Sequence, residues 1–155
     1  MPTKVKAIPD GYRAVTPYLS IKGAAAAIDF YKKAFGATEA MRMAQPDGRI
    51  GHAELQIADS RIMLADEFPD MDFRSPHSIG GTPVMLHLYV EDVDTVVSQA
   101  VAAGAKLLRP VQDQFYGDRS GTIADPYGHV WHVSTHKEDL SMEEIRQRAA
   151  AQHKG

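Results

Sequence analysis

The stretch Asp118–His136, DRSGTIADPYGHVWHVSTH, decides how the chain is read. It has the pattern of a strand, a tight turn and a second strand. Thr122–Ala124 lead into Asp125-Pro126-Tyr127-Gly128, where proline presets φ at the second turn position and glycine suits the fourth. Asp125 can hydrogen-bond the turn backbone. The returning strand, Val130–Ser134, alternates, so Val130, His132, Ser134 and His136 share one face while Trp131 and Val133 share the other. A histidine inside an apolar strand is either a neutral buried residue with a partner or a group placed for chemistry. Both readings stay open for His132.

Working outward, the same unit occurs earlier in the chain. GHAELQIADSRIMLADE and GTIADPYGHVWHVSTHK superpose with a shift near 69 residues, and PYLSIKGAAAAIDFYKKAFGAT superposes on LHLYVEDVDTVVSQAVAAGAKL with the same shift. In the first copy, Val15–Ile21 reads as a strand. A helix follows with Ile28, Tyr31 and Phe35 on one side and Gly36 at its left-handed end. Residues 38–45 are a candidate strand, Ile50–Ile57 alternates as a strand, and Arg61–Ala65 returns. In the second copy, Met85–Val90 is a strand and Asp92 an N-cap. Val93, Val96, Val97, Ala100 and Val101 stripe a helix that Gly104 ends, before a strand at 106–111 and the hairpin.

The expected fold class is therefore α+β: two β-α-β-β-β modules, at 13–66 and 84–136, each a curved mixed sheet with a helix on its convex side. Residues 67–83 carry three prolines and two glycines and read as a linker or long surface loop. Residues 1–12 read as a polar arm. Ser141 with Glu144 forms a capping box opening a polar C-terminal helix at 141–152, suited to a lid or a dimer clasp.

Composition narrows the function classes. Hydrophobic residues make up 44% and charged residues 24% of 155, an ordinary globular mixture in one domain. The net charge of −3 offers nothing to nucleic acid or an anionic membrane surface. Without cysteine there is no thiolate zinc site and no cysteine nucleophile. The N-terminal residues lack a signal-peptide apolar core, and no run reaches the roughly 20 apolar residues of a membrane span, so a cytoplasmic location is expected. No G-x-S-x-G elbow, H-E-x-x-H helix, P-loop or G-x-G-x-x-G fingerprint occurs.

The duplicated unit, the FYKKAFGA helix end and the DPYGHVWHV hairpin together resemble the vicinal oxygen chelate superfamily of glyoxalases, bleomycin-resistance proteins and dioxygenases. PYLSI, GRIGHAEL, IMLADE, LHLYVEDVD and FYGDRSG…DPYGHVW look like its PhnB-like branch. The resemblance implies a small-molecule ligand held in a cup between the modules, and a homodimer. In metal-using members it implies four inward ligands, which fall near Thr16, Met63, Met85 and His132. Only His132 is a good ligand there, because a thioether is too soft for Zn, Ni, Mn or Fe(II). A two-residue slip would replace Met85 by His87, on the same strand face.

Two functions follow from this reading. One is a glyoxalase/bleomycin-resistance-like binding protein without an intact standard metal site, its ligand meeting Tyr18, Met63, Met85, Tyr89, Tyr116 and Arg119. Arg119 would grip a carboxylate or phosphonate, or else pair with Asp118 or Asp125. The other is a divalent-metal-dependent lyase, isomerase or dioxygenase with His132 and His87 as catalytic residues and His132, His87, His52 and Glu54 as candidate metal ligands. A metal-free acid–base enzyme using His132 is a third. His52 and Glu54, at i and i+2, equally form a simple hydrogen-bonded pair. Trp131 reads as core, His129 as an exposed turn residue, and His77, His136 and His153 as surface.

Overall fold

The computed structural model describes residues 4–153, and the chain divides between Gly81 and Thr82 into two compact units. Each unit holds a four-stranded mixed sheet of the same strand order.

In the first unit, β1 (Tyr18–Ile21) leads to α1 (Ala24–Phe35), then β2 (Thr38–Ala44), β3 (Ile50–Ile57) and β4 (Ser60–Asp66), ordered β1-β4-β3-β2. β1 runs parallel to β4 and the other pairings are antiparallel. The strand is shorter than the expected Val15–Ile21 because Pro17 has no N–H for the ladder; its carbonyl alone joins, accepting from the Met63 N–H. α1 buries Ala24, Ala27, Ile28, Phe30, Tyr31 and Ala34 against one sheet face, where Leu19, Ile21, Leu55 and Leu64 meet it. Gly36 ends the helix at φ 68°, and its N–H and that of Ala37 return to the Lys32 and Tyr31 carbonyls. The other end has no cap of its own. Asp66 reaches across from the end of β4, accepting from Gly23 and Ala24 N–H at 3.0 Å each and from Ile50 N–H at 2.7 Å. Residues 67–81 are not a bare loop: a 3₁₀ turn at Pro69–Met71 and a helical turn, α2 (Pro76–Ile79), are tied by Ser75 and Ser78 donating to Glu67. Local proline-initiated turns of this size leave no periodicity to read.

In the second unit, β5 (Met85–Tyr89), α3 (Val93–Ala102), β6 (Lys106–Asp113), β7 (Asp118–Ala124) and β8 (Val130–His136) form the order β5-β8-β7-β6. Asp92 caps α3 through the Thr95 N–H, and Val93, Val97 and Ala100 are buried, whereas Val101 of the expected stripe is exposed. Thr135 plays the part of Asp66, accepting from Val93 N–H at 2.9 Å, 69 residues further on. Asp125 builds the turn: it accepts from Tyr127 and His129 N–H at 2.9 and 3.0 Å and from the Trp131 indole at 2.9 Å. Trp131 is a core residue, 3% exposed, as expected, and His129 is half-buried rather than exposed. α4 (Met142–Gln152) opens on Ser141, which accepts from Glu144 N–H, and buries none of its side chains. Among the described residues no helix is long and apolar enough to cross a membrane.

Candidate functional site

Strand alternation sorts the residues of each sheet between the helix-bearing face and the face turned away from it. In the first unit that second face carries Tyr18 on β1, Arg61, Met63 and Ala65 on β4, His52 and Glu54 on β3, and Met41 and Met43 on β2. Tyr18 sits opposite Met63, which sits opposite Glu54. In the second unit it carries His87 opposite His132 opposite Thr122, and Tyr89 opposite Ser134 opposite Ser120. The register therefore corrects the alignment expected from the sequence. Tyr18 and His87, not Thr16 and Met85, flank the last strands at Met63 and His132; Thr16 precedes β1 altogether, and Met85 pairs with Val130.

The first unit holds a pocket of about 480 Å³ lined by Tyr18, Gln45, Gly51, Ala65, Phe68, Met71 and Phe73. Its walls are mostly apolar because the Phe68–Phe73 bridge folds residues 68–73 over the sheet, with Phe73 edge-on to Tyr18 at 5.5 Å. Beside it runs a chain of hydrogen bonds. Tyr18 Oη lies 2.6 Å from His52 Nδ1, His52 Nε2 lies 2.7 Å from Glu54 Oε2, and Tyr12 Oη donates to Glu54 Oε1. Burial pushes the Tyr18 phenol above its usual value, so Tyr18 is a neutral donor. The arm is thus docked through Tyr12, over whose ring the Arg61 guanidinium stacks at 5.3 Å.

In the second unit His87 and His132 stand edge to face, ring centroids 4.9 Å apart. Each has a hydroxyl partner: His87 Nε2 with Ser134 at 2.9 Å, His132 Nδ1 with Thr122 at 2.9 Å. Burial first, then the neighbouring His87 and Arg109, holds His132 below the ordinary histidine value, so it is neutral at pH 7. Tyr89 donates to the buried Asp118 carboxylate at 2.9 Å, a bond that pushes the phenol up. The other Asp118 oxygen is 2.8 Å from His136 Nδ1, and His136 Nε2 is 2.7 Å from Asp139, so His136 is raised. A smaller pocket of about 210 Å³ is lined by Arg109, Gln112, Gln114, Tyr116, Ser120, Thr122 and His132 among others.

Arg119 has neither of its expected partners and does not face this pocket. It lies on the helix-bearing face, paired with Asp94 at 2.8 and 3.0 Å and with Asp113 at 3.2 Å. Two carboxylates thus hold the Arg119 guanidinium, and Arg109, not Arg119, lines the pocket with His132. Met85 and Tyr89 are exposed, Met63 and Tyr116 half-buried. Phe68, Met71, Phe73, Arg109 and the Tyr12 contact were not legible beforehand. The only signal for the first three was apolar residues spaced through an otherwise polar linker.

The divalent ion that the sequence resemblance implies finds few suitable donors here. At the four register-equivalent positions stand a phenol, a thioether and two imidazoles, and a thioether and a neutral phenol are poor ligands for a hard or borderline ion. His52 and Glu54 are bonded to each other and to two tyrosines. Among the described residues no three His, Cys, Asp or Glu side chains are grouped to hold an ion. The donor set does not fit a standard catalytic site of three strong ligands.

The family model described as the Glyoxalase/Bleomycin resistance protein/Dioxygenase superfamily matches residues 15–133. An uncharacterized protein of Mycobacterium bovis is 43% identical over 145 residues, covering 92% of this chain and 95% of that one. Among solved structures, TioX from Micromonospora sp. ML1 matches with a TM-score of 0.62 and 25% identity, over 83% of this chain and 100% of TioX. The PhnB protein from Bacillus cereus matches with a TM-score of 0.62 and 19% identity, over 79% and 99%.

Proposed function

Because the chain belongs to the Glyoxalase/Bleomycin resistance protein/Dioxygenase superfamily, we propose that it binds a small organic ligand on the sheet faces turned away from the helices, without a standard metal centre. The observation that carries this is the 480 Å³ pocket walled by Tyr18, Ala65, Phe68, Met71 and Phe73. Its volume is that of pockets for organic ligands of drug size, and apolar walls with a few polar groups are their usual make-up. Three aromatic rings favour a ligand with a flat, partly aromatic body, and Met71 can adapt to it. Gln45 and Tyr18, both on the pocket wall, carry polar groups able to anchor the ligand. The motifs FYGDRSG and DPYGHVW further favour the PhnB-like branch.

The test is equilibrium binding of the dye 8-anilinonaphthalene-1-sulfonate, read by fluorescence, with folding checked by circular dichroism. Saturable binding that Phe73→Asp and Met71→Asp abolish, and that a chelator leaves unchanged, supports the proposal. Binding that survives both substitutions removes the pocket from it. A stoichiometric Mn, Zn or Ni ion retained after dialysis and lost in His132→Ala would instead establish the metal-dependent alternative using His132 and His87.

A further inference from the structure

The hydrogen-bonded series on the first sheet has a direction. Glu54 Oε2 faces His52 Nε2 at 2.7 Å, so a carboxylate there holds the proton on Nε2 and leaves Nδ1 as an acceptor. The group 2.6 Å from Nδ1 is the Tyr18 hydroxyl, which donates. Glu54 is itself fixed by the Tyr12 hydroxyl on its other oxygen. All of these groups come from strands whose register is set by the sheet, except Tyr12, which the arm brings in. Tyr18 is also a wall of the 480 Å³ pocket. β2 opposes Glu54 and His52 with the uncharged Met41 and Met43, and Arg61, on the same face, is stacked over Tyr12.

We infer that Tyr18, His52 and Glu54 form a metal-free proton relay that gives the first-unit pocket a general acid–base activity toward carbon acids. The Tyr18 oxygen takes a proton from the bound molecule as its own proton passes to His52 Nδ1. The ligand's C–H bond breaks, its electron pair stays on the ligand, and the positive charge on His52 is balanced by Glu54. Reprotonation at another atom of the ligand reverses the transfers, so an isomerisation needs no co-reactant. Tyr18 is the catalytic residue, because of these three it alone lines the pocket. His52 and Glu54 are positioning residues. The substrate class is a flat molecule with a C–H bond acidified by a neighbouring carbonyl or similar group.

The inference rests on the pocket binding an organic ligand, and the probe separates the two. 5-Nitrobenzisoxazole is a flat aromatic carbon acid: removal of its ring C–H breaks the N–O bond and releases a coloured cyanonitrophenolate, so proton abstraction is read directly. Its binding is measured separately, by displacement of the anilinonaphthalene dye. The relay predicts saturable turnover that falls about 100-fold in kcat in Tyr18→Phe, the scale of a lost general base, with little change in KM. His52→Gly falls similarly and recovers on adding imidazole, which a purely structural role would not allow. Displacement of the dye without turnover above buffer, or full turnover in Tyr18→Phe, overturns the relay and leaves the pocket standing. No displacement at all overturns both.

Discussion

Replacing Asp66 by alanine removes the one side chain that joins α1, β3 and β4 end to end. The carboxylate is 8% exposed and accepts three backbone N–H groups, two at the start of α1 and one on Ile50. α1 has no side-chain cap and no acidic residue in its first turn, so nothing local replaces it. Losing a helix cap costs about 1–2 kcal/mol. Leaving the buried Ile50 donor without an acceptor adds roughly 1–3 kcal/mol. Asp66→Ala should therefore destabilise the first unit by about 2–5 kcal/mol, a large share of the ~5–15 kcal/mol that holds a typical domain. Asp66→Asn keeps one oxygen acceptor and should lose about half as much. Urea unfolding followed by far-ultraviolet circular dichroism measures the loss, and amide exchange locates it at Ala24, Ala27 and Ile50. A loss under about 1 kcal/mol for Asp66→Ala, or an asparagine variant as unstable as the alanine one, would refute the reasoning.

Three further outcomes are expected. Asp125→Ala strips three acceptor contacts from the hairpin turn, including the Trp131 indole, and should cost about 2–4 kcal/mol, read as a lower urea midpoint with altered Trp131 fluorescence. Gly117→Ala would place a Cβ 2.6 Å from the Glu138 carbonyl oxygen at φ +100°, so it should cost at least about 1–3 kcal/mol in the same assay; a neutral result would show that the segment after β8 is free to shift. In a histidine NMR titration, His132 should titrate below the usual 6.5 and His136 above it. The sign follows for stability. The His136 contribution is fully present below its unfolded value and is lost as pH rises through the higher folded one. His132 acts oppositely, since protonation favours the unfolded chain, so its penalty grows as pH falls below its unfolded value. His136→Gln should remove the first dependence; an inverted order of the two titrations would contradict the geometry.

Much of the fold was written in local pattern. The duplication, the alternation of Ile50–Ile57 and Val130–Ser134, the stops at Gly36 and Gly104, the Asp92 and Ser141 caps and the Asp125 turn are short-range features. Each acts within a few residues, where spacing alone decides which groups can meet. The places where the reading slipped involve partners far apart in sequence. Arg119 was expected to grip a ligand's acid group or to pair with Asp118 or Asp125, yet it meets Asp94 on α3, 25 residues away. Met85 and His87 share a strand face, and only the register with β8 decides which of them stands beside His132.

The candidate site divides in the same way. Sequence by itself determined that His52 and Glu54 share a face, that His87 and His132 belong to one sheet, and that no thiolate is available. Tertiary structure alone decided that Tyr18 and Tyr12 close on that His52–Glu54 pair, and that Phe68 and Phe73 roof a pocket beside it. The physical reason is that hydrogen bonds and pocket walls form between groups tens of residues apart. Their approach is fixed by strand register and by the packing of the whole sheet, and neither is encoded in any one stretch of the chain.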